Sequence, residues 1–200
     1  MTEFQEISLL YTAGLRGDLD LLPRLYTFLK TLRGEFNPAY VIDLGESCAV
    51  EIWHCEVTEG RSMLIALDGM GYTAANTDHL TPDSRAKLTD QVALGLVNAD
   101  HPHVAGDCLF ALHPTSGDGH LCIVLKPGEM TRLAGRTLDL EAVEAGQVGI
   151  VRLTTGDVPQ VLSSEVRLMP SGTAPDPTIA GVVDFVISEA RYYQRRAKDS

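Results

Sequence analysis

A chain of 200 residues, 44% of them hydrophobic, buries one substantial core and has little room for a second, so residues 1–200 are read as a single domain. Its 16 Lys and Arg against 27 Asp and Glu give a formal charge of −11, which opposes phosphate backbones and anionic lipid and argues against nucleic acid and membrane as partners. The acidic start Met1-Thr2-Glu3-Phe4-Gln5-Glu6 has neither a signal peptide nor a membrane helix after it, which predicts a cytoplasmic protein.

Glu6 to Thr12 reads as a buried strand, because Ile7, Leu9, Leu10 and Tyr11 form a short apolar run closed by the loop Ala13-Gly14-Leu15-Arg16-Gly17. Leu21, Leu22, Leu25, Phe28, Leu29 and Leu32 then recur at helical steps, predicting a helix from near Asp20 to Gly34 with Pro23 in its first turn. Tyr40 to Leu44 is a second strand, and strand, helix, strand in this order implies a parallel pair with a right-handed crossover. Val50 and Ile52 alternate with Glu51 and Trp53 as in a short strand. Arg61 to Met70 reads as a helix, and Tyr72 to Asn76 as a third strand. Thr81-Pro82-Asp83 opens a further helix, with Thr81 as N-cap and Leu88, Val92, Leu94 and Leu96 as its apolar content.

After Asp100 the pattern becomes strand-like over 104–112, 119–126, 133–140, 147–155 and 159–168, with a hairpin turn at Ser116-Gly117-Asp118-Gly119. The N-terminal half is thus parallel and the C-terminal half more antiparallel. Asp176-Pro177 starts a last helix whose buried face is Ile179, Val182, Val183, Val186 and Ala190. Arg191, Arg195, Arg196 and Lys198 complement the dipole at its end. Cys48, Cys55, Cys108 and Cys122 form no C-x-x-C pair and read as ordinary buried thiols.

In an open α/β sheet, ligands collect beyond the carboxyl ends of the parallel strands. That singles out the loops at 13–17, Gly45-Glu46-Ser47 and Asn76-Thr77-Asp78-His79. Asp100-His101-Pro102-His103 joins them, because two imidazoles one residue apart can address a common site. No G-x-S-x-G, P-loop or G-x-G-x-x-G follows a strand, and the carboxylate beside Cys48 raises rather than lowers a thiol pKa.

These loops, in this order, resemble a calcineurin-like metallophosphoesterase of the 5′-nucleotidase type. Leu10 to Gly17 followed by Leu22-Pro23-Arg24-Leu25 looks like the family's opening, where the strand ends in Asn-Asp-x-His-Gly. Val41-Ile42-Asp43-Leu44-Gly45-Glu46 is similar to its apolar strand and Gly-Asp. Met70-Gly71-Tyr72-Thr73-Ala74 is similar to the Met-Gly-Tyr-Asp-Ala before Gly-Asn-His-Glu, and Asp100 to His103 looks like Gly-His-x-His. Val124 to Glu129, Leu133 to Leu140 and Pro175 to Ala180 resemble the later strands and the exit helix. The resemblance implies an α/β fold in which two sheets form a sandwich flanked by helices. It also implies a centre of two divalent metals that holds phosphate and generates hydroxide.

The family's first metal takes an Asp and a His from the opening block, where this chain has Gly14 and Arg16. A guanidinium about 5 Å from a divalent ion repels it by roughly 6–7 kcal/mol at an effective dielectric near 20. The expected result is a degenerate, shortened domain without its binuclear centre, acting through a protein partner or a small anionic ligand held by Arg16 and the Gly14 amide. An ion pair from Arg16 to Glu46 or Asp43 is the competing use. The alternative is a residual hydrolase with one Mn, Fe or Zn ion at Glu46, Asp78, His101 and His103, and His79 as acid/base. Against that, Glu46 also reads as a loop cap, Asp78-His79 and His101 to His103 as polar turns, and His113 and His120 as a cross-hairpin pair. Homo-oligomers are compatible with either function.

Overall fold

The computed structural model describes residues 5–115 and 119–198. Residues 1–4 and Ser116, Gly117 and Asp118 of the expected turn lie outside the described residues. Eleven strands form two sheets among the described residues. In the six-stranded sheet, β1 (Glu6–Thr12), β2 (Ala39–Asp43), β3 (Ala74–Asn76) and β4 (Gly95–Val97) run parallel. β10 (Gln147–Thr154) pairs antiparallel with β1, and β11 (Gln160–Leu168) antiparallel with β10, giving the order β11-β10-β1-β2-β3-β4. The second sheet has the order β5-β6-β7-β9-β8, from β5 (His103–Ala105), β6 (Cys108–Ala111), β7 (Leu121–Gly128), β8 (Arg132–Ala134) and β9 (Thr137–Glu141). This is a two-sheet sandwich with helices on its flank.

Apart from the buried Ser8, residues 7–11 of β1 are apolar because both of its faces are buried. Ile7, Leu9 and Tyr11 enter the core between the sheets with Phe110, Ile123 and Val151. Leu10 faces the other way, into a core closed by α1 (Leu22–Glu35), α3 (Arg61–Gly69) and α5 (Pro177–Lys198). The first turn of α1 carries Pro23 as expected, and Asp18 Oδ1 accepts the Leu21 N–H at 3.0 Å. Asp176 caps α5 by accepting the N–H groups of Thr178 (2.9 Å) and Ile179 (3.2 Å), and Lys30 pairs with its carboxylate at 3.2 Å. No helix among the described residues is long and apolar enough to cross a membrane.

Four local expectations change. The Val50–Ile52 stretch is no strand: Val50 is 89% exposed and Ile52 precedes α2 (Trp53–Val57), so the alternation there reflects a surface loop. The helix opened by Thr81 is α4 (Pro82–Thr89); Val92 and Leu94 lie in the segment that follows it and Leu96 in β4. Asp68 Oδ1 accepts the N–H groups of Ala93 and Leu94 at 2.8 and 2.9 Å, which fixes the chain entering β4. The 104–112 segment folds back at Gly106 (φ 55°) into β5 and β6, and glycine is required there because a Cβ would lie 2.3 Å from the Tyr40 hydroxyl. Finally, β6 and β7 are parallel, so no hairpin joins them. His113 follows the end of β6 whereas His120 precedes the start of β7, so the two imidazoles do not form a cross-strand pair. The C-terminal half is still richer in antiparallel pairs, at β5/β6, β8/β9 and β10/β11 against parallel β6/β7 and β7/β9.

Candidate functional site

The carboxyl ends of β1 to β4 lie along one edge of the six-stranded sheet, so the four loops singled out in the sequence follow neighbouring strands. The first two are joined along their length. Gly14 N–H donates to the Gly45 carbonyl (3.0 Å), Arg16 N–H to that of Glu46 (2.8 Å), and Gly17 N–H to that of Ser47 (2.8 Å). Gly14, Arg16 and Glu46 take left-handed conformations to do this, with φ of 62°, 49° and 54°.

Arg16 extends outward, its Nη2 2.9 Å from Glu51 Oε1, with the two side chains 61% and 59% exposed. Its partner is therefore neither Glu46 nor Asp43. A solvated, paired guanidinium also exerts little of the repulsion calculated for an inward one. What stands against a first metal is Gly14, which offers no side chain.

Beneath this pair of loops sits a group expected only as an ion-pair partner for Arg16. Asp43, the last residue of β2, is fully buried. Its Oδ2 accepts the Gly45 N–H (3.1 Å), and its Oδ1 lies 3.4 Å from the Thr12 hydroxyl, which is itself 3.0 Å from the Tyr72 hydroxyl. Burial pushes its pKa up to about 8, against the lowering effect of the Gly45 and Thr12 hydrogen bonds. The signal available in the sequence was an acid closing a strand buried on both faces.

The third loop is anchored by Asn76. Its Nδ2 donates to the carbonyls of Leu44 (3.1 Å) and Leu125 (2.8 Å), tying β3 to the second sheet, while its Oδ1 accepts the Asp78 N–H (3.1 Å). Asp78 is left exposed on that turn. His79 backs onto Gly60, where an added Cβ would lie 2.8 Å from Nε2. It lines a cavity of about 290 Å³ with Cys48, Cys55 and Thr81. Desolvation lowers the His79 pKa, with Asp78 opposing.

In the fourth loop, Asn98 Oδ1 accepts from the N–H groups of Asp100 (3.1 Å) and His101 (2.9 Å) and lies 2.9 Å from His101 Nδ1. Three contacts on one oxygen assign the proton to Nδ1, so His101 is held as a turn residue. His103 instead stacks on Phe110, with ring centroids 6.4 Å apart, and covers Gly95. Desolvation there lowers its pKa. Glu46 is exposed at its loop. Among the described residues, no group of three or more His, Cys, Asp or Glu side chains is placed to hold a metal ion. Glu46, Asp78, His101 and His103 are therefore not gathered into such a group.

The cysteine expectation is corrected for one pair. Cys48 and Cys55 form a disulfide, which ties the loop after β2 to α2 across seven positions. The free-thiol reading leaned on the expected cytoplasmic location, which a disulfide does not favour. Cys108 and Cys122 remain buried thiols, and burial pushes Cys108 up to about 12, far from a reactive thiolate.

No family model matches the sequence, and no curated protein matches it. Solved structures do match its shape. Calcineurin-like phosphoesterase YfkN from Bacillus subtilis superposes with a TM-score of 0.60 at 10% identity, over 96% of this chain and 100% of that one. NAD nucleotidase (NadN) from Haemophilus influenzae gives 0.59 at 7% identity, over 97% of this chain and 61% of that one. A 5′-nucleotidase precursor from Thermus thermophilus gives 0.59 at 11% identity, over 98% of this chain and 59% of that one. This chain thus spans about three-fifths of the length of each of the two nucleotidase structures. The match in shape over nearly the whole chain, together with the two-sheet sandwich and its helical flank, establishes that this chain has the calcineurin-like metallophosphoesterase fold of the 5′-nucleotidase type.

Proposed function

We propose that this domain keeps the phosphoesterase fold without its binuclear metal centre and works by binding, as a regulatory or assembly protein. Its ligand would be a protein or a small anion that meets the loop edge at Arg16; the Gly14 amide expected to help hold an anion is spent on the Gly45 carbonyl instead. The observation that carries this reading is the bonding between the first two loops. Three N–H groups, of residues 14, 16 and 17, are spent on carbonyls of residues 45 to 47, so backbone occupies the ground between the strand ends. The glycine at position 14, where the resembled family has a metal-ligating side chain, supports it.

Protein purified without chelator, analysed for metals and assayed on phosphomonoesters and phosphodiesters with added Mn²⁺, tests the proposal. The expected result is metal well below one equivalent and no turnover. Stoichiometric Mn, Fe or Zn, with turnover that Glu46→Ala and His101→Ala abolish, would instead establish the residual hydrolase in which His79 assists.

A further inference from the structure

β11 is the longest strand among the described residues, at nine residues, and it stands at the edge of the six-stranded sheet with β10 on one side only. Natural edge strands are usually short, covered or twisted away, because their free N–H and C=O groups template pairing with another chain. Here the one register shift lies opposite Arg152/Leu153, so the run from Ser163 to Leu168 is regular. Its apolar side chains are open to solvent: Val166 is 39% exposed and Leu168 71%. Those two pair with Gly149 and Gln147 on the face that, further along the sheet, packs the second sheet. Glu165 and Arg167 lie on the other face, opposite Ile150 and Val148.

We propose that two copies of this chain pair β11 against β11, antiparallel and centred on Val166, so that the large sheet runs continuously through a symmetric dimer. The charge pattern selects both the occupant and the register. A two-fold axis at Val166 sets Glu165 opposite Arg167 of the second copy and Arg167 opposite its Glu165. Val166 faces its own counterpart, and Leu168 faces Ser164. Facing pairs of opposite charge and facing apolar pairs are the stabilising units of a sheet, and like charges directly opposite are not. Centring on Glu165 sets carboxylate against carboxylate, and centring on Arg167 sets guanidinium against guanidinium. Centring on Ser164 draws the irregular residues 161–163 into the ladder and leaves both charges facing neutral side chains.

Self-complementarity of one patch is what a closed two-fold interface requires. Arg167 is already oriented, with Nη1 2.6 Å from Glu35, Nη2 2.8 Å from Glu165, and its guanidinium over the Phe36 ring at 5.0 Å. Five N–H donors leave it capacity for a second carboxylate.

Sedimentation velocity and light scattering on the whole chain test this. The wild type is expected to show a reversible, concentration-dependent species of twice the monomer mass. Glu165→Arg and Arg167→Glu should each weaken dimerisation about tenfold or more, since each sets like charges face to face. An equimolar mixture of these two variants should restore the dimer, because every facing pair is then of opposite sign. Val166→Lys, outside both ion pairs, supplies an independent monomeric variant, with circular dichroism confirming the fold of each. A wild type that stays monomeric into the millimolar range, single variants that dimerise as tightly as wild type, or a folded mixture that stays monomeric overturns the proposal.

Discussion

Replacing Asp43 with Asn should make this protein more stable, by an amount that grows with pH. The carboxyl is fully buried at the end of β2, and its pKa rises from 3.8 to about 8 because burial disfavours the charged form. In the unfolded chain the same group ionises at its ordinary value. The folded state therefore holds a proton that the unfolded state releases, and stability falls as pH rises from about 4 towards the folded pKa. The stabilising contribution of the neutral acid is complete below 3.8 and lost as pH passes 8. At about 1.4 kcal/mol per pH unit, the cost accumulated by pH 8 is on the order of 5 kcal/mol. Asn keeps an oxygen for the Gly45 N–H, fills nearly the same volume and never ionises. Urea denaturation of both proteins from pH 4 to pH 8 measures the gap between them, which should be small at pH 4 and widen by several kcal/mol at pH 8. Thr12→Val, which removes a hydrogen bond that favours the carboxylate, should raise the folded pKa further and carry the fall in stability beyond pH 8 in the wild-type background. A gap that stays flat across this range would refute the claim that Asp43 is buried as a neutral acid.

Asn76→Ala removes the donor shared by the Leu44 and Leu125 carbonyls and should cost about 2–3 kcal/mol in chemical denaturation, since both acceptors lose their partner. Gly95→Ala places a Cβ within 2.3 Å of the His103 ring and should destabilise by about 1–3 kcal/mol, while His103→Ala in the same chain should recover most of that loss in a double-mutant cycle. Cys48→Ser with Cys55→Ser opens a short loop and should cost about 2–3 kcal/mol in thermal unfolding. Adding a dithiol reductant should lower the Tm of wild type towards that of the double variant and leave the variant where it was.

The sequence was most legible where one strong periodicity met one environment. β1 and β2 lie between two cores, so their residues had to be apolar on both faces, and Leu22 to Leu32 mark a single helical face. Asp176 was readable as a cap because Pro177 follows it directly. β4 was missed because its three residues are too few to show alternation, and Leu88 and Val92 just before them kept a helical spacing. The parallel course of β6, β7 and β9 was illegible because direction is set by long-range register, which no local pattern records. The loop cluster was located correctly by strand order, but the fate of its side chains was not. Arg16 found Glu51 rather than Glu46, through a contact distant along the chain, and His103 went to Phe110 across the β5/β6 pair.

The left-handed turn at the end of β1 decides what side chains grafted at positions 14 and 16 would meet. A designer grafting Gly14→Asp and Arg16→His would meet open space at position 14, where an added Cβ touches nothing within 4 Å, yet would install the aspartate at φ 62°. That conformation disfavours a side chain by about 1 kcal/mol, a modest obstacle. The larger one is direction. Residues 14, 16 and 17 are pinned by their amides to the neighbouring turn, and Arg16 already leads its side chain to the surface. Two substitutions therefore leave the course of both turns unchanged, and the side chains they install follow the paths that those turns set.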